Sequence, residues 1–375
     1  MVSITSLTPA EISAESTSNI AALTTTEVAE LSTAQLAALS SAQLAALGTA
    51  NVGALGTNSS GLTTAALLGL TSGEASALTG TALAALSSAQ LTALGATNIS
   101  ALASSNISAL TTAALTGLTS VEAAALSTAQ LSVLSSAQLA ALSTAAITGL
   151  GANISALTTA TLAGLSSTAL AALTTGEAQA LTSTQAGALS SAQVKDLTTA
   201  TLANLTTAAV TSLTSTALAG LSSAQLAGLG TTNITALGSS NLSALTTAAL
   251  VGLTSAQVSA LDTNVIGLTS MQFIALTTQA IQGLTTAAVA GLSTADVAAL
   301  TTSQIAALTT ADISALGSTQ IASLTSSQVP ALTTNQITAL STAQMASFTV
   351  ADFTSAQNAA MSKAQFAALF GQPQS

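Results

Sequence analysis

Residues 31–38 read Leu31-Ser32-Thr33-Ala34-Gln35-Leu36-Ala37-Ala38, and variants of this octad recur along most of the 375-residue chain. With the leading Leu as position 1, the consensus is Leu-Thr-Thr-x-Gln-Ile-x-Ala. The eight-residue spacing is interrupted at four places, which are Leu55–Leu62, Leu150–Leu157 and Leu261–Leu268 (steps of seven) and Phe348–Phe353 (a step of five). A fixed short period indicates a tandem-repeat architecture, and we predict about forty-five units.

Positions 2 and 5 of the octad carry a signal for a helix N-terminus. Position 2 is usually Thr, Ser or Gly, and position 5 is often Gln, Asn, Glu or Asp. Ser or Thr followed three residues later by Glu or Gln is the capping box, in which each side chain binds the other residue's backbone N–H. The apolar residues at positions 1 and 6 then form a hydrophobic staple. Pro9 fits this register, because it follows Thr8 at the first helical position, where its missing N–H costs nothing.

The angular spacing of the aliphatic residues argues against one continuous helix. Eight residues at about 100° each advance position 1 by roughly 80° per octad, so the Leu side chains would spiral around such a helix. Short helices with a bend at each Thr/Ser pair can instead direct every aliphatic side chain towards a shared interior. We therefore predict an all-α fold, a solenoid of about forty-five short capped helices built from octapeptide repeats.

A β-solenoid is the alternative fold. Thr, Ile and Val favour strands, and octads could form turns with stacked Leu and Ile ladders. The apolar spacing alternates between five and three rather than following a period of two, and Ala and Gln are poor strand residues, so helices are favoured. Pro330 stands at position 7 of its octad and fits neither fold easily.

The repeat register suggests one array with short tails. We predict an N-terminal tail at residues 1–6, the octapeptide-repeat solenoid at 7–347, terminal repeats at 348–370 and a C-terminal tail at 371–375. The terminal repeats hold four of the five Phe residues. We interpret these aromatic residues as the bulkier core of a terminal cap, and an export signal or a docking surface is the alternative. They are Phe348, Phe353, Phe366 and Phe370.

The composition leaves little material for chemistry. The chain has no His, Cys or Tyr, and its two basic residues are both Lys. Its many Ser and Thr have no base to activate them, so we expect them to be helix caps. We predict no enzymatic activity, no catalytic residue, no metal site and no cofactor. Most of the acidic residues are scattered, and many occupy position 5 as capping-box acids. They are Glu11, Glu15, Glu27, Glu30, Glu74, Glu122, Glu177, Asp196, Asp262, Asp296, Asp312 and Asp352.

Charge and hydropathy bear on the possible partners. The net charge is −10, and the two cations, Lys195 and Lys363, are too far apart in sequence to form a basic patch, so nucleic acid is not expected to bind. Both look like solvent-facing substitutions. Thr/Ser pairs interrupt every apolar run, so we predict no membrane span although the mean hydropathy is +0.69. The opening MVSITSLTPAEISAE shows no standard cleavable signal peptide.

The array as a whole resembles repetitive bacterial cell-surface and extracellular matrix proteins, including adhesins and S-layer-like or filament-forming proteins. The resemblance rests on full-length, uncharged, Thr/Ser/Ala-rich octads. It implies a non-enzymatic structural protein, located outside the cell or on its surface and exported by another route. We also expect self-association of the array, head to tail, because the ends of a solenoid expose its apolar seam. The alternatives are an ice- or surface-binding Thr/Ser array and a helical-repeat scaffold for protein partners.

Overall fold

The computed structural model describes residues 4–370, and these residues form only helices, turns and short extended links. They contain 39 α-helices and six 3₁₀ helices, and no β-strand is found among them. The predicted all-α solenoid of short helices is confirmed, and the β-solenoid alternative is wrong. Helices prevail over the strand preference of Thr because each Thr at position 2 acts as a cap and does not lie within a regular element.

The chain divides after Leu189 into two compact units, each an array of short helices. In the first unit the α-helices are Pro9–Ala14, Thr17–Ala21, Thr25–Glu30, Thr33–Ala37, Ser41–Ala46, Gly48–Gly53, Thr64–Leu67, Ser72–Ser76, Gly80–Ala84, Ser88–Ala101, Ser104–Ile107, Thr112–Leu115, Ser120–Ala124, Thr128–Leu131, Ser136–Ala141, Thr144–Gly149, Thr159–Leu162, Ser167–Ala172, Thr175–Ala180 and Ser183–Gly187. Its 3₁₀ helices are Ile4–Ser6, Gly56–Gly61 and Gly151–Ala156.

The second unit continues the same pattern of elements. Its α-helices are Ser191–Asp196, Thr199–Ala203, Thr207–Ser212, Ser215–Leu218, Ser223–Gly228, Gly230–Leu242, Thr247–Leu250, Ser255–Leu261, Ser270–Ala275, Thr278–Ile281, Thr286–Gly291, Thr294–Ala299, Thr302–Ala307, Thr310–Ala315, Ser318–Ala322, Thr334–Ala339, Thr342–Met345, Ser355–Ala360 and Lys363–Ala368. Its 3₁₀ helices are Asp262–Gly267, Val329–Ala331 and Val350–Asp352.

Each ordinary octad begins its helix as the sequence predicts. Ser32 is the N-cap of the helix Thr33–Ala37, and its hydroxyl accepts from the backbone N–H of Gln35. The Oε1 of Gln35 accepts in return from the N–H of Ser32 at 2.9 Å, which closes the capping box. The preceding Leu31 and Ser32 are both extended, with ψ of 128° and 159°, so two consecutive extended residues turn the chain between helices. The residues on either side, at positions 1 and 6, are buried.

A second kind of corner occurs where position 2 is a glycine with positive φ, whereas Gly317, also at position 2, keeps the ordinary extended conformation and donates its N–H to the Oε1 of Gln320 at 2.7 Å. Leu47 keeps a helical conformation, and Gly48 has a φ of 72°, in the left-handed region that glycine adopts without strain. No side chain caps the helix Gly48–Gly53 that follows. The capping predicted for such octads is therefore wrong, because glycine has no hydroxyl to accept the bond. Gly56, Gly151 and Asp262 take the same place with positive φ, and each begins a 3₁₀ helix of six residues. These three 3₁₀ helices lie at the three seven-residue repeats. A positive-φ corner followed by a 3₁₀ helix therefore spans a repeat that is one residue shorter than the octad.

Successive turns of each unit stack closely. The helix Ser120–Ala124 packs on the helix Thr144–Gly149, three octads later. A Cβ added at Gly149 would lie 2.3 Å from the carbonyl oxygen of Ser120, and one at Gly164 would lie 2.1 Å from that of Ser136, so the backbones touch at these points. Because contacts recur 28 to 31 residues apart, each turn takes about three and a half octads.

Pro330 and the Phe residues mark local departures from the octad helix. The octad of Pro330 forms a turn and the 3₁₀ helix Val329–Ala331 instead of an α-helix, which accommodates the missing N–H. Phe348 and Phe353 are buried with ring centroids 5.0 Å apart. Phe366 and Phe370 also pair, at 5.5 Å, but both are exposed. The terminal cap at 348–370 stays a prediction.

Two further predictions concern the ends and the membrane. The predicted N-terminal tail lies outside the described residues at positions 1–3, and Ile4–Ser6 form a 3₁₀ helix with Ile4 buried. The predicted C-terminal tail, residues 371–375, lies wholly outside the described residues. Within residues 4–370 every helix is too short to carry an apolar stretch across a bilayer.

Candidate functional site

The side chain at position 5 has two roles at once. The Oε1 of Gln304 accepts from the N–H of Thr301 at 2.9 Å and so caps its own helix. Its Nε2 donates to the carbonyl oxygens of Phe273 and Leu276, both at 2.8 Å, in the helix one turn earlier. Gln304 is almost fully buried. One amide group therefore joins a helix N-terminus to the C-terminus of a neighbouring helix.

This arrangement recurs through both units. The acceptors are carbonyls at positions 6, 7 and 1, where a short helix ends and leaves acceptors without intrahelical partners. The sequence reveals the capping half of this role, whereas the bond to the earlier turn depends on the fold. The Gln residues that donate in this way are Gln35, Gln43, Gln90, Gln130, Gln138, Gln185, Gln225, Gln257, Gln272, Gln304, Gln320, Gln328, Gln336, Gln344, Gln357 and Gln365.

Shorter polar side chains at position 5 also bond to the earlier turn. Asn98 donates through Nδ2 to the carbonyl oxygen of Leu70 at 2.9 Å, and Thr161 donates through its hydroxyl to that of Leu134 at 2.6 Å. In the octads of Asn51 and Asn106 position 2 is Gly48 or Ala103, which has no hydroxyl, and no capping box forms there. The sequence interpretation of Asn at position 5 as a capping-box residue is therefore wrong. Asn serves the contact with the earlier turn instead.

The acidic residues at position 5 keep the capping bond, and Asp296 in addition accepts from the hydroxyl of Ser270 in the earlier turn at 2.7 Å. The Oε2 of Glu177 accepts from the N–H of Thr174 at 2.8 Å and from its hydroxyl at 2.9 Å. Its Oε1 is buried and has no hydrogen-bond partner. A carboxylate has no N–H to donate, so Glu177 lacks the bond that Gln185, in the next helix, makes to Ile154 and Leu157. The predicted capping-box role is confirmed for Glu27, Glu74, Glu122, Glu177, Asp296 and Asp312.

The first turn places acids at position 5 where they meet solvent. Glu11 and Glu27 accept from the backbone N–H groups and hydroxyls of Thr8 and Thr24. The backbone hydrogen bond, followed by the hydroxyl, lowers the pKa of each carboxyl below its usual 4.5. The helix of Glu27 packs on the 3₁₀ helix Ile4–Ser6, but the described residues include none 28 to 31 positions before Glu11 or Glu27, where the Gln acceptors lie in later turns. A carboxylate can therefore stand here without facing buried carbonyls.

The remaining charged residues make scattered contacts. Glu15 accepts from the amide of Asn19, and Lys195 and Lys363 are exposed, as predicted. In residues 4–370 no three acidic side chains lie close enough to hold a metal ion. The predicted absence of catalytic and metal residues stays a prediction. A hollow of about 500 Å³ opens at the first turn, and its walls are core and cap side chains, namely Ile4, Leu7, Glu15, Asn19, Ala22, Leu23 and Glu27.

The outward face is formed mainly by positions 2, 3 and 4, and position 7 is exposed in many octads as well, as at Leu68 and Val251. In the octad that begins at Leu39, the side chains of Ser40, Ser41 and Ala42 are exposed, whereas Gln43 and Leu44 are buried. The same division holds in most octads, so the surface consists mainly of Thr, Ser and Ala. Larger apolar side chains interrupt this surface at single positions. They are Leu68, Val121 and Val133 in the first unit and Val251, Ile266, Met271 and Ile274 in the second.

Comparison with known proteins identifies the repeat. A family model described as the ALTTAQ repeat matches residues 20–57, 265–310, 289–326 and 305–342, which lie in both units and cover less than a third of the chain. In one-letter code the name ALTTAQ corresponds to position 8 of one octad and positions 1 to 5 of the next, as in residues 331–336. It therefore includes the extended corner between two helices and the capping box of the second helix. Neither the curated proteins nor the solved structures gave a match. The chain is thus a tandem helical-repeat protein.

The double role of Gln304 can be separated by substitution. We expect Gln304→Ala to cost about 2 kcal/mol, because it removes a cap acceptor and two buried inter-turn bonds. Gln304→Glu keeps the cap but turns an oxygen towards two carbonyls, so its cost should be at least as large. Thr301→Ala, which removes only the hydroxyl cap, should cost less. Urea denaturation and local amide exchange at residues 301–308 measure this, and a harmless Gln304→Glu would contradict the inter-turn role.

Replacing the acid at position 5 by Gln should stabilise the protein at Glu177. Glu177→Gln keeps the cap acceptor and supplies an Nε2 donor in place of the unpartnered Oε1, and we expect a gain of about 1–2 kcal/mol. The matched control is Glu27→Gln, which has no described residue 28 to 31 positions earlier to donate to and should show no comparable gain. Thermal and urea unfolding of the two variants decide the matter. Equal effects at both positions would count against the assignment.

The two acids of the first turn predict a local pH dependence. Their folded pKa lies below the unfolded value, so their contribution is complete above about 4.5 and is lost as the pH falls through the lowered pKa. The double variant Glu11→Gln, Glu27→Gln keeps both acceptors but does not titrate. The protection of the amides in Pro9–Ala14 and Thr25–Glu30, measured as the exchange rate relative to the intrinsic rate at each pH, should therefore fall less on acidification in the variant than in the wild type. An equal loss of protection would disprove the linkage.

Proposed function

We propose that this chain is a non-catalytic structural scaffold, a filament or matrix subunit outside the cell or on its surface, whose copies associate side by side. The observation that carries the proposal is that different positions of the octad form the inter-turn bonds and the solvent-facing surface. The Gln side chains at position 5 are used up in holding the turns together, while positions 2, 3 and 4 present small uncharged side chains to solvent. A surface of this kind is suited to packing against itself.

The cost of burying such a surface is low. Ala loses no side-chain rotamer freedom on burial and Ser and Thr lose little, so association orders few side chains. Only 4% of residues are charged, so few ions need to be stripped of water when two copies meet. Each octad contact is weak, but many octads in register add their contributions. Lateral contact through the array is therefore more favourable than contact at one point.

End-to-end association, expected from the apolar seam at the ends of a solenoid, stays a prediction. The proposal favours lateral contact because the surface of small neutral side chains recurs along most octads, whereas an end offers a single contact.

The absence of catalysis is part of the proposal. Hydroxyl groups are abundant, but many of those at position 2 accept a backbone N–H of their own helix, as Ser32 does from Gln35. The composition supplies no His or Cys. A nucleophile needs an adjacent base and a developing oxyanion needs preorganised donors, and the octad offers neither in the same place.

Sedimentation velocity across a concentration series, with negative-stain microscopy, tests the association. We expect the wild type to form larger species as its concentration rises. The triple variant Ala42→Glu, Ala89→Glu, Ala137→Glu places acids at exposed position 4, where they suit the helix N-terminus but repel a second copy. It should stay monomeric, whereas the neutral control with Gln at the same three sites should still assemble. A wild type that remains monomeric at every concentration would remove the proposal.

A further inference from the structure

Seven octads contain the tripeptide Asn-x-Ser/Thr, the acceptor signal for N-linked glycosylation. In the ordinary case such an Asn lies on a surface loop, where its amide is free to react. Here the Asn belongs to the repeat itself, and in four of the seven it stands at position 5. The seven are Asn58, Asn98, Asn106, Asn153, Asn204, Asn233 and Asn241.

Five of these residues donate to a carbonyl oxygen of the earlier turn, and three of the five stand at position 5; Asn58 and Asn153 are the other two. Asn98 donates through Nδ2 to Leu70 at 2.9 Å and is 7% exposed. Asn106 makes the same bond to Leu78 at 3.0 Å. The bond of Asn233 to Leu205 measures 3.3 Å, and Asn233 is 5% exposed.

The rest of each tripeptide is also held within the fold. Ile99, between Asn98 and Ser100, is in the core with 1% of its surface exposed. The hydroxyl of Ser100 donates to the carbonyl oxygen of Thr97 at 2.7 Å. Ile107 and Ile234 are buried in the same manner in the other two tripeptides. In each of these tripeptides the Asn thus lies between two turns, the middle Ile lies in the core, and the Ser or Thr lies on the helix surface.

Glycan transfer places a large group on the amide nitrogen. A bond forms between Nδ2 and the anomeric carbon of the sugar, the amide loses one proton, and the lipid-linked diphosphate leaves with the electron pair of the broken carbon–oxygen bond. The remaining N–H could still donate, but the sugar ring would have to fit between two packed turns. Protein interiors are close-packed, and Asn98 and Asn233 are more than nine-tenths buried, so no space for a pyranose exists beside them. Asn106 is half-buried, but its Nδ2 bonds to Leu78 of the earlier turn in the same way, and a sugar on that nitrogen would stand between the same two turns.

We infer that N-linked glycosylation and folding are mutually exclusive at Asn98, Asn106 and Asn233. A glycan at any of the three separates the turn it stands on from the preceding one. Because these sites lie in both units, neither array tolerates modification throughout. The protein must fold before it meets an N-glycosylating transferase, or be made where none acts. This holds whether or not the chain serves as the proposed scaffold.

Secretion of the full chain through a eukaryotic pathway, with an added cleavable signal, tests the inference. The background chain has all seven signals removed without touching the inter-turn Asn residues, through Ser60→Ala, Ser100→Ala, Ser108→Ala, Ser155→Ala, Asn204→Gln, Thr235→Ala and Ser243→Ala. Restoring Ser100 alone returns one signal and leaves the Asn98 bond unchanged. Limited proteolysis separates folded from unfolded molecules, and mass spectrometry before and after glycan removal reports occupancy at Asn98.

We expect the glycan at Asn98 to be depleted at least about tenfold in the protease-resistant pool, since a buried hydrogen bond and its packing are lost with it. A folded pool that carries no glycan agrees with the inference, and glycan in the protease-resistant pool overturns it. So does a restored chain that is unglycosylated yet unfolded while the background folds.

A second measurement covers a background that fails to fold. Wild-type protein made without glycosylation is unfolded in urea, treated with a soluble N-glucosyltransferase and UDP-glucose, and then refolded. Glucose at Asn98, Asn106 and Asn233 should be confined to the fraction that does not regain its helical circular dichroism. Refolded protein bearing glucose at these sites would refute the inference.

Discussion

The whole structure depends on satisfying backbone carbonyls at the ends of very short helices. A helix of five or six residues leaves most of its carbonyl groups without an intrahelical partner, and burying them unpaired would cost more than the packing returns. The amide of a position-5 Gln resolves this problem, as when Gln304 donates to Phe273 and Leu276. The fold needs no further polar group at these corners, because the Oε1 of the same Gln side chain also caps the N-terminus of its own helix.

The substitutions at position 5 follow only in part from the position of the octad in the stack. Gln donates where a turn has an earlier neighbour, whereas Glu11 and Glu27 occupy the first turn, where the side chain meets water. Glu74, Glu122, Glu177 and Asp312 are buried acids in later turns, and Glu177 leaves one oxygen without a partner. Since each octad contacts mainly its neighbours in the stack, a local defect of this kind is tolerated without loss of the array.

The proposed scaffold role follows from what remains after the fold has used its polar groups. Gln and Asn are engaged between turns, and the buried acids and the hydroxyls at position 2 are engaged in caps. What is left for other molecules is a repeated surface of small neutral side chains, with isolated larger residues such as Leu68 and Met271. Such a surface is suited to extended contact with other copies of the chain. It offers few distinctive side chains for the recognition of one ligand.

The sequence by itself determined the local structure. The eight-residue period, the Thr/Ser at position 2 and the Gln at position 5 fix where each helix begins and which side chains are apolar, because these preferences act within one octad. The tertiary structure alone decided what no single octad contains. The number of octads in a turn sets which carbonyls stand opposite Gln35 or Gln304, so the donor half of the Gln role, the burial of Glu177 and the inter-turn use of Asn98 could not be read from the repeat. They arise from contacts between residues about 28 to 31 positions apart, and sequence periodicity carries no information about how such turns are stacked.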